Sequence, residues 1–318
     1  MNRKPKMAKY TKKNFDSRFP DDATCLEWLR NYLYPDGIFC EKCKRITKHH
    51  RVVSRPSYSC DHCGHHVHPT AGTIFHKSPT PLTTWFYAIY LMASTRCGIS
   101  AKQIERETGV TYKTAWRMFK QIRSMLEENE PIGGKGRDVE TDKAFFGGMR
   151  KGGGGRRLRG DHGETSKTVV VGMVERKGRV KAVRAADFKG STLLGIIREH
   201  VLPKSTVFTD ELASYHGVPH ITDRGYLHRR INHSEKVYVM GDVHTNTVEG
   251  FWSLVKRGIG GVYHSVGSNY LQSYLNEYSF RYNRRFDVQP MFTSFLKQVH
   301  KNTIQPTADR VDDTPVPF

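Results

Sequence analysis

Between Asp21 and Tyr34 the apolar residues Leu26, Leu29, Tyr32 and Leu33 recur at helical spacing, and Pro35 closes the segment. Short strands are expected next, near His50–Ser54, Tyr58–Cys60 and Val67–Phe75. From Pro81 to Glu128 the pattern turns helical: Pro81 suits a first turn, and Trp85, Phe86, Ile89, Tyr90 and Met92 make a stretch of ordinary core. Ile99–Arg117 is more specific. Ser100 reads as an N-cap, Gly109 as a turn and Thr111 as a second N-cap, with Ile104, Val110, Ala115 and Met118 packed inside. That is the grammar of a helix-turn-helix, although a plain αα-hairpin shares it.

Asn129–Arg137, with Pro131, Gly133, Gly134 and Gly136, reads as a linker, and strands follow it. Val139–Phe146, Thr168–Val174 and Arg179–Ala186 are expected as strands, Ser191–Val201 as a helix and Ser205–Thr209 as a short apolar strand. A basic stretch, Arg224–Lys236, precedes helices over about Thr245–Arg257 and Tyr270–Asn283. Strand, strand, strand, helix, strand, helix, with acids at strand ends, is the order of an RNase-H-like α/β core. The glycine and arginine loop Gly147–Gly160 lacks the order of a nucleotide-binding loop, so backbone contact to nucleic-acid phosphates is its better reading.

The doublets Cys40-Glu-Lys-Cys43 and Cys60-Asp-His-Cys63, with sixteen residues between them, supply four thiolates for one tetrahedral zinc. A structural zinc ribbon follows, with His62, His65, His66 and His68 crowded at the second knuckle, where one could replace a thiolate but most read better as solvated or phosphate-facing. Cys25 and Cys97 lie in apolar helical patterns and are expected as buried reduced thiols. The fold class is therefore multidomain: a basic disordered tail over 1–17, a helix and zinc ribbon over 18–78, and an all-α helix-turn-helix region over 79–128. A linker over 129–137, the α/β core over 138–300 and a loose tail over 301–318 complete it.

Charge narrows the partner. Lys and Arg number 51 against 31 Asp and Glu, a formal +20 in 318 residues, which points to a polyanion, with double-stranded DNA first. In that setting Thr111, Tyr112, Lys113 and Arg117 are the side chains that would face DNA. No run of eighteen apolar residues exists and the first thirteen residues are basic and polar, so a soluble, intracellular protein without membrane partners is expected.

Nucleic-acid cleavage by metals requires carboxylates converging from distant elements, because two hard cations must be held about 4 Å apart to clamp a phosphate. Asp142 on the first strand, Asp210 at the end of a later one and Glu249 on a helix meet that demand. Lys256 lies two helical turns beyond Glu249, on the same face.

The block His244-Thr-Asn-Thr-Val-Glu-Gly-Phe-Trp-Ser-Leu-Val-Lys-Arg-Gly258, followed by Phe280-Arg-Tyr-Asn-Arg-Arg285, closely resembles the C-terminal block of zinc-ribbon transposases of the insertion sequence 1595 family. Ala71-Gly-Thr-Ile-Phe75 with Pro81-Leu-Thr-Thr-Trp-Phe86 resembles that family's ribbon-to-helix junction, and Thr209-Asp-Glu211 its second-aspartate motif. Glu140-Thr-Asp-Lys-Ala-Phe-Phe-Gly-Gly148 is similar to its first-aspartate segment, except that Lys143 stands where the family usually has an acid. Neighbours on a strand point to opposite faces, so Lys143 need not enter the site.

The resemblance implies a transposase that binds the terminal inverted repeats of an insertion sequence, cuts the DNA end and joins its 3′-hydroxyl to target DNA. It implies Asp142, Asp210 and Glu249 as ligands of two Mg²⁺ or Mn²⁺ ions, with Asn246 beside Glu249 as the alternative third ligand. Lys256 would hold terminal DNA, with Arg257 beside it. A homodimer or higher assembly on DNA, and a nucleoid-associated place in a bacterial or archaeal cytoplasm, come from the same resemblance. A non-catalytic regulator derived from a transposase would keep the ribbon and the helices, and a plain nuclease would need neither.

Overall fold

A computed structural model of the chain describes residues 9–147, 167–230 and 245–300. Among them the chain forms two compact units, one of residues up to 125 together with 288 onward, the other of residues 126–287.

The first unit opens with α1 (Lys12–Arg18), capped by Thr11, whose hydroxyl accepts from the Asn14 amide while the Asn14 side chain accepts from Thr11 N–H. The disordered tail expected over 1–17 is therefore corrected from Lys12 onward, where the chain is helical. Phe15 gives the reason, buried among Phe19, Tyr87 and Tyr90. α2 (Asp22–Leu33) follows, capped by Asp21 and burying Cys25, Leu26 and Leu29. β1 (Ile38–Cys40) and β2 (Arg45–Thr47) form one antiparallel hairpin. β3 (His49–Val52), β4 (Ser57–Cys60) and β5 (His66–Val67) form a three-stranded antiparallel sheet in that order. β5 stops short of the expected Phe75. Pro69 offers no donor to a ladder and Gly72 takes φ +77°, so the chain continues through turns.

α3 (Leu82–Ser94) buries Trp85, Phe86, Ile89 and Met92 completely. α4 (Ala101–Thr108) and α5 (Tyr112–Ser124) start on side-chain caps from Ser100 and Thr111, with Gly109 left-handed between them. Cys97, just ahead of α4, is exposed rather than buried.

In the second unit β6 (Ile132–Gly133) lies inside the expected linker. β7 (Asp138–Phe146), β8 (Thr168–Glu175) and β9 (Val180–Arg184) form an antiparallel meander. After α6 (Gly190–His200), β10 (Val201–Leu202) pairs with β6; β11 (Thr206–Thr209) and β12 (Leu227–Arg230) then extend the main sheet in parallel. The resulting sheet is mixed, in the order β12-β11-β7-β8-β9. α7 (Asn246–Gly258) and α8 (Ser268–Asn283) complete the unit.

β8 reads Val-Val-Val-Gly-Met-Val because both of its faces are covered. Val169, Val171 and Met173 join a core with Leu193 and Ile197 of α6, whereas Val170 and Val174 join Phe251, Trp252 and Val255 of α7 and Leu271 and Leu275 of α8. At Asp287 the chain leaves this unit. α9 (Met291–Leu296) belongs to the first, where Phe292 packs on Tyr10, Phe15, Phe19 and Tyr90, so the division falls earlier than the expected boundary at 300.

Candidate active site

The four sulfurs of Cys40, Cys43, Cys60 and Cys63 lie within 4.8 Å of one another, a set that can hold a metal ion. Both knuckles use one turn: Lys44 and Gly64, each following a doublet, are left-handed, and their N–H groups donate to the carbonyls of Cys40 and Cys60. The Thr47 hydroxyl, 3.1 Å from Cys60 Sγ, pulls that thiol down to about 5, and hydrogen bonding with Cys63 pushes Cys43 up to about 12. The sulfurs stand at distances that suit a common cation. Thiolates at this spacing are donors for zinc. The crowded histidines add no ligand to the set.

Asp142 and Asp210 come together at the C-terminal end of β11. Phe208 of β11 pairs with Glu140 of β7, and the same register carried two residues on sets Asp210 level with Asp142. Asp142 is pushed up to about 6, first by burial and then by the charge of Asp210, with Lys143 and the Trp252 indole opposing the rise. Lys143, which strand alternation did not require to enter the site, does reach it. Its Nζ lies 3.3 Å from Asp210 Oδ2. β11 ends at Thr209, so the outer part of β7 has no neighbour on that side and a long side chain can curl round to the next loop.

Glu249 and Asn246 are exposed in the first turn of α7, with Glu249 Oε1 accepting from Thr245 Oγ1 at 3.0 Å. Asp142, Asp210 and Glu249 do not form a set within 4.8 Å as the cysteines do. The Trp252 indole N–H is directed at Asp142, and one buried polar atom near that carboxylate, Tyr215 Oη, lacks a hydrogen-bond partner. Burial raises the Tyr215 pKa well above its usual value, and the charges of Asp142 and Asp210 add to that rise. Trp252 lies against Gly172, the cross-strand partner of Asp142. Two carboxylates side by side are oxygen ligands of the kind a hard divalent cation takes, and the Tyr215 hydroxyl oxygen can accept from a cation's bound water.

Sequence reasoning passed over three of these residues. Glu140 is completely buried, and its carboxylate meets the N-terminus of α7. Its signal was the Glu-Thr-Asp alternation, which puts it on the same strand face as Asp142. Nothing in the local pattern marked Trp252 or Tyr215 for the site.

Residues 133–283 match the family model described as the ISXO2-like transposase domain. An uncharacterized protein in transposable element ISH50 of Halobacterium salinarum is 26% identical over 278 residues, covering 83% of this chain and 91% of that protein. An uncharacterized transposase-like protein of Haemophilus influenzae is 31% identical over 128 residues, covering 40% of this chain and 98% of its own length. The chain belongs to the insertion sequence 1595 family of transposases.

For a transposase of this family the basic surface matters next. Thr111, Tyr112, Lys113 and Arg117 are all exposed on α5 or its cap, while Ile104, Ala115 and Met118 are buried and Val110 is half-buried. Arg117 also donates to Ser78 Oγ at 3.2 Å and lies over the Trp85 ring. Lys256 and Arg257 are exposed at the end of α7. Arg281, Arg284 and Arg285 of the family-like block serve the fold: Arg281 pairs with Glu277, Arg284 with Glu128, and Arg285 donates to the Gly178 and Tyr282 carbonyls. The expected contacts of Gly148–Gly160, Ile231–Lys236 and His244 lie outside the described residues. No helix among the described residues is long and apolar enough to cross a membrane.

Proposed function

We propose that this transposase binds the terminal inverted repeats of its insertion sequence, cuts the DNA at the element's end and joins that end to target DNA. The observation that carries the reading is the adjacency of Asp142 and Asp210: burial raises the Asp142 pKa and the charge of Asp210 adds to that rise. The strand order of the second unit supports an RNase-H-like catalytic domain. Asp142, Asp210 and Glu249, with Asn246 as the alternative to Glu249, would hold two Mg²⁺ or Mn²⁺ ions. When bound, these ions supply Lewis-acid activation of the attacking oxygen and charge neutralisation of the leaving one.

The chain's own residues do the rest. Lys256 and Arg257 bear on phosphates of the terminal DNA, and their charge makes that grip salt-sensitive. Water attacks the phosphodiester at the element's end and leaves a free 3′-hydroxyl; that hydroxyl then attacks a target phosphodiester in line, and the target's own 3′-oxygen departs. No covalent protein intermediate is required. The zinc ribbon and the α4–α5 helix-turn-helix read the repeats, with Thr111, Tyr112, Lys113 and Arg117 at the DNA and the basic surface supplying non-specific affinity. Pairing of two ends calls for a homodimer or higher assembly, acting in the cytoplasm at the nucleoid.

A second reading, a DNA-binding regulator without catalysis, draws on the Lys143–Asp210 ion pair and on the open arrangement of the three carboxylates. Strand cleavage and joining of a labelled element end in Mg²⁺ or Mn²⁺, by the wild type and Asp210→Ala, separates the two. Metal-dependent products lost in the variant support the transposase, and tight end binding with no product from either protein supports the regulator.

A further inference from the structure

Glu140 spends every lone pair it can offer on two distant elements. Its Oε1 accepts from Arg176 Nε at 2.8 Å and from Thr247 Oγ1 at 2.9 Å. Its Oε2 accepts from the backbone N–H of Thr247 at 2.8 Å and of Val248 at 3.1 Å. Those two N–H groups belong to the first turn of α7, whose own flanking residue, Thr245, makes no capping bond. A threonine at that position ordinarily accepts from the helix amides. Here its hydroxyl donates instead to Glu249 Oε1.

We propose that Glu140 is a positioning residue. It caps α7 from across the sheet, fixes Asn246 and Glu249 against the strand that carries Asp142, and so frees Thr245 to orient the Glu249 carboxylate. The inference rests on the reading of Asp142, Asp210 and Glu249 as a divalent-cation site. Its physical basis is separate from that reading. A carboxylate enclosed at 0% exposure is costly to bury, and an apolar residue would fill the space as well if packing were its only task. Being two residues from Asp142 on one strand, Glu140 shares its face, so the helix is anchored to the same rigid segment as the first aspartate. Groups behind a metal ligand that set its orientation typically change metal affinity by about 10–100-fold when altered.

The test uses the full chain and Mn²⁺ as the probe, with binding read by the loss of free-ion electron paramagnetic resonance signal and by hydrogen exchange of the Thr247–Val248 amides. Wild type against Asp210→Ala examines the cation site itself, and Glu140→Asp against wild type examines the positioning. Glu140→Asp keeps the charge but draws the carboxylate back from α7. We expect Mn²⁺ affinity to fall about tenfold or more, with faster exchange at Thr247 and Val248. Glu140→Gln keeps one carbonyl acceptor for the two amides and should fall between the two proteins. Wild-type Mn²⁺ affinity in both folded Glu140 variants, with only thermal stability lowered, would overturn the positioning role and leave the cation site standing. Absence of Asp210-dependent Mn²⁺ binding in the wild type would overturn both.

Discussion

The ammonium of Lys143 sits 3.3 Å from the Asp210 carboxylate, with the two side chains only 17% and 24% exposed. A cation of the protein's own thus occupies ground that a divalent ion would contest. Screening is weak at that burial, so the competition is felt. Lys143→Ala should raise Mn²⁺ affinity by about tenfold, in line with a shift of one unit for removal of a neighbouring charge. Titration of both proteins under one salt condition checks this, and equal or weaker binding by the variant would show that Lys143 assists the site.

Trp252 lies so close to Gly172 that a Cβ there would stand 2.4 Å from the indole Cζ2. Indoles do not compress, and Trp252 is wedged against Phe146 and Phe251. Gly172→Ala should therefore cost about 1–3 kcal/mol through overpacking and push the ring away from Asp142. Urea unfolding gives the cost and tryptophan fluorescence the displacement. A variant as stable as the wild type, with unaltered emission, would mean that the helix gives way freely.

The elements that the sequence announced are those in which a local signal agrees with tertiary need. Ser100, Gly109 and Thr111 take the roles their chemistry suggests, and the continuous apolar run of β8 foretells burial on both faces. β12 was read only as part of a basic stretch, because Leu227–Arg230 is an edge strand whose residues are mostly exposed and show no alternation. α9 was missed because six residues carry too short a period to register. In the site, Asp142 was read on the first strand and Asp210 at the end of a later one, and the pairing of β11 with β7 sets the two level. The partners of Glu140 and Lys143 were not legible, since both depend on how β7 meets elements 67 to 107 residues away.

The cysteine set predicts a local response to metal removal. A cation would tie the two hairpins of the ribbon together, and its removal would leave four buried or half-buried thiols in one cluster. Chelation, or Cys60→Ser, should release about one zinc per chain and speed hydrogen exchange across residues 38–67, because metal affinity in such modules is folding free energy. Exchange in the β7–β9 meander should stay as it was. No zinc in the untreated protein by elemental analysis would remove the ribbon's metal from the account.

His228 supplies the pH dependence. Its Nε2 lies 3.0 Å from Thr209 Oγ1, whose own proton goes to the Asp210 carbonyl, so the imidazole donates and the hydroxyl oxygen accepts. Burial first, then the charges of Arg230 and His216, push the His228 pKa down to about 4 from 6.5. The folded chain therefore keeps this ring neutral while the unfolded chain takes up a proton below pH 6.5, and that uptake favours unfolding. The associated stability is whole above pH 6.5 and drains away as the pH falls towards 4. Glutamine can donate to Thr209 without titrating, so in His228→Gln this component should be absent. The difference in urea midpoint between the two proteins should then be constant above pH 6.5 and shift in favour of the variant between pH 6.5 and 4. Parallel profiles through that window would mean that the ring becomes protonated in place, with Arg230 and His216 moving to accommodate it.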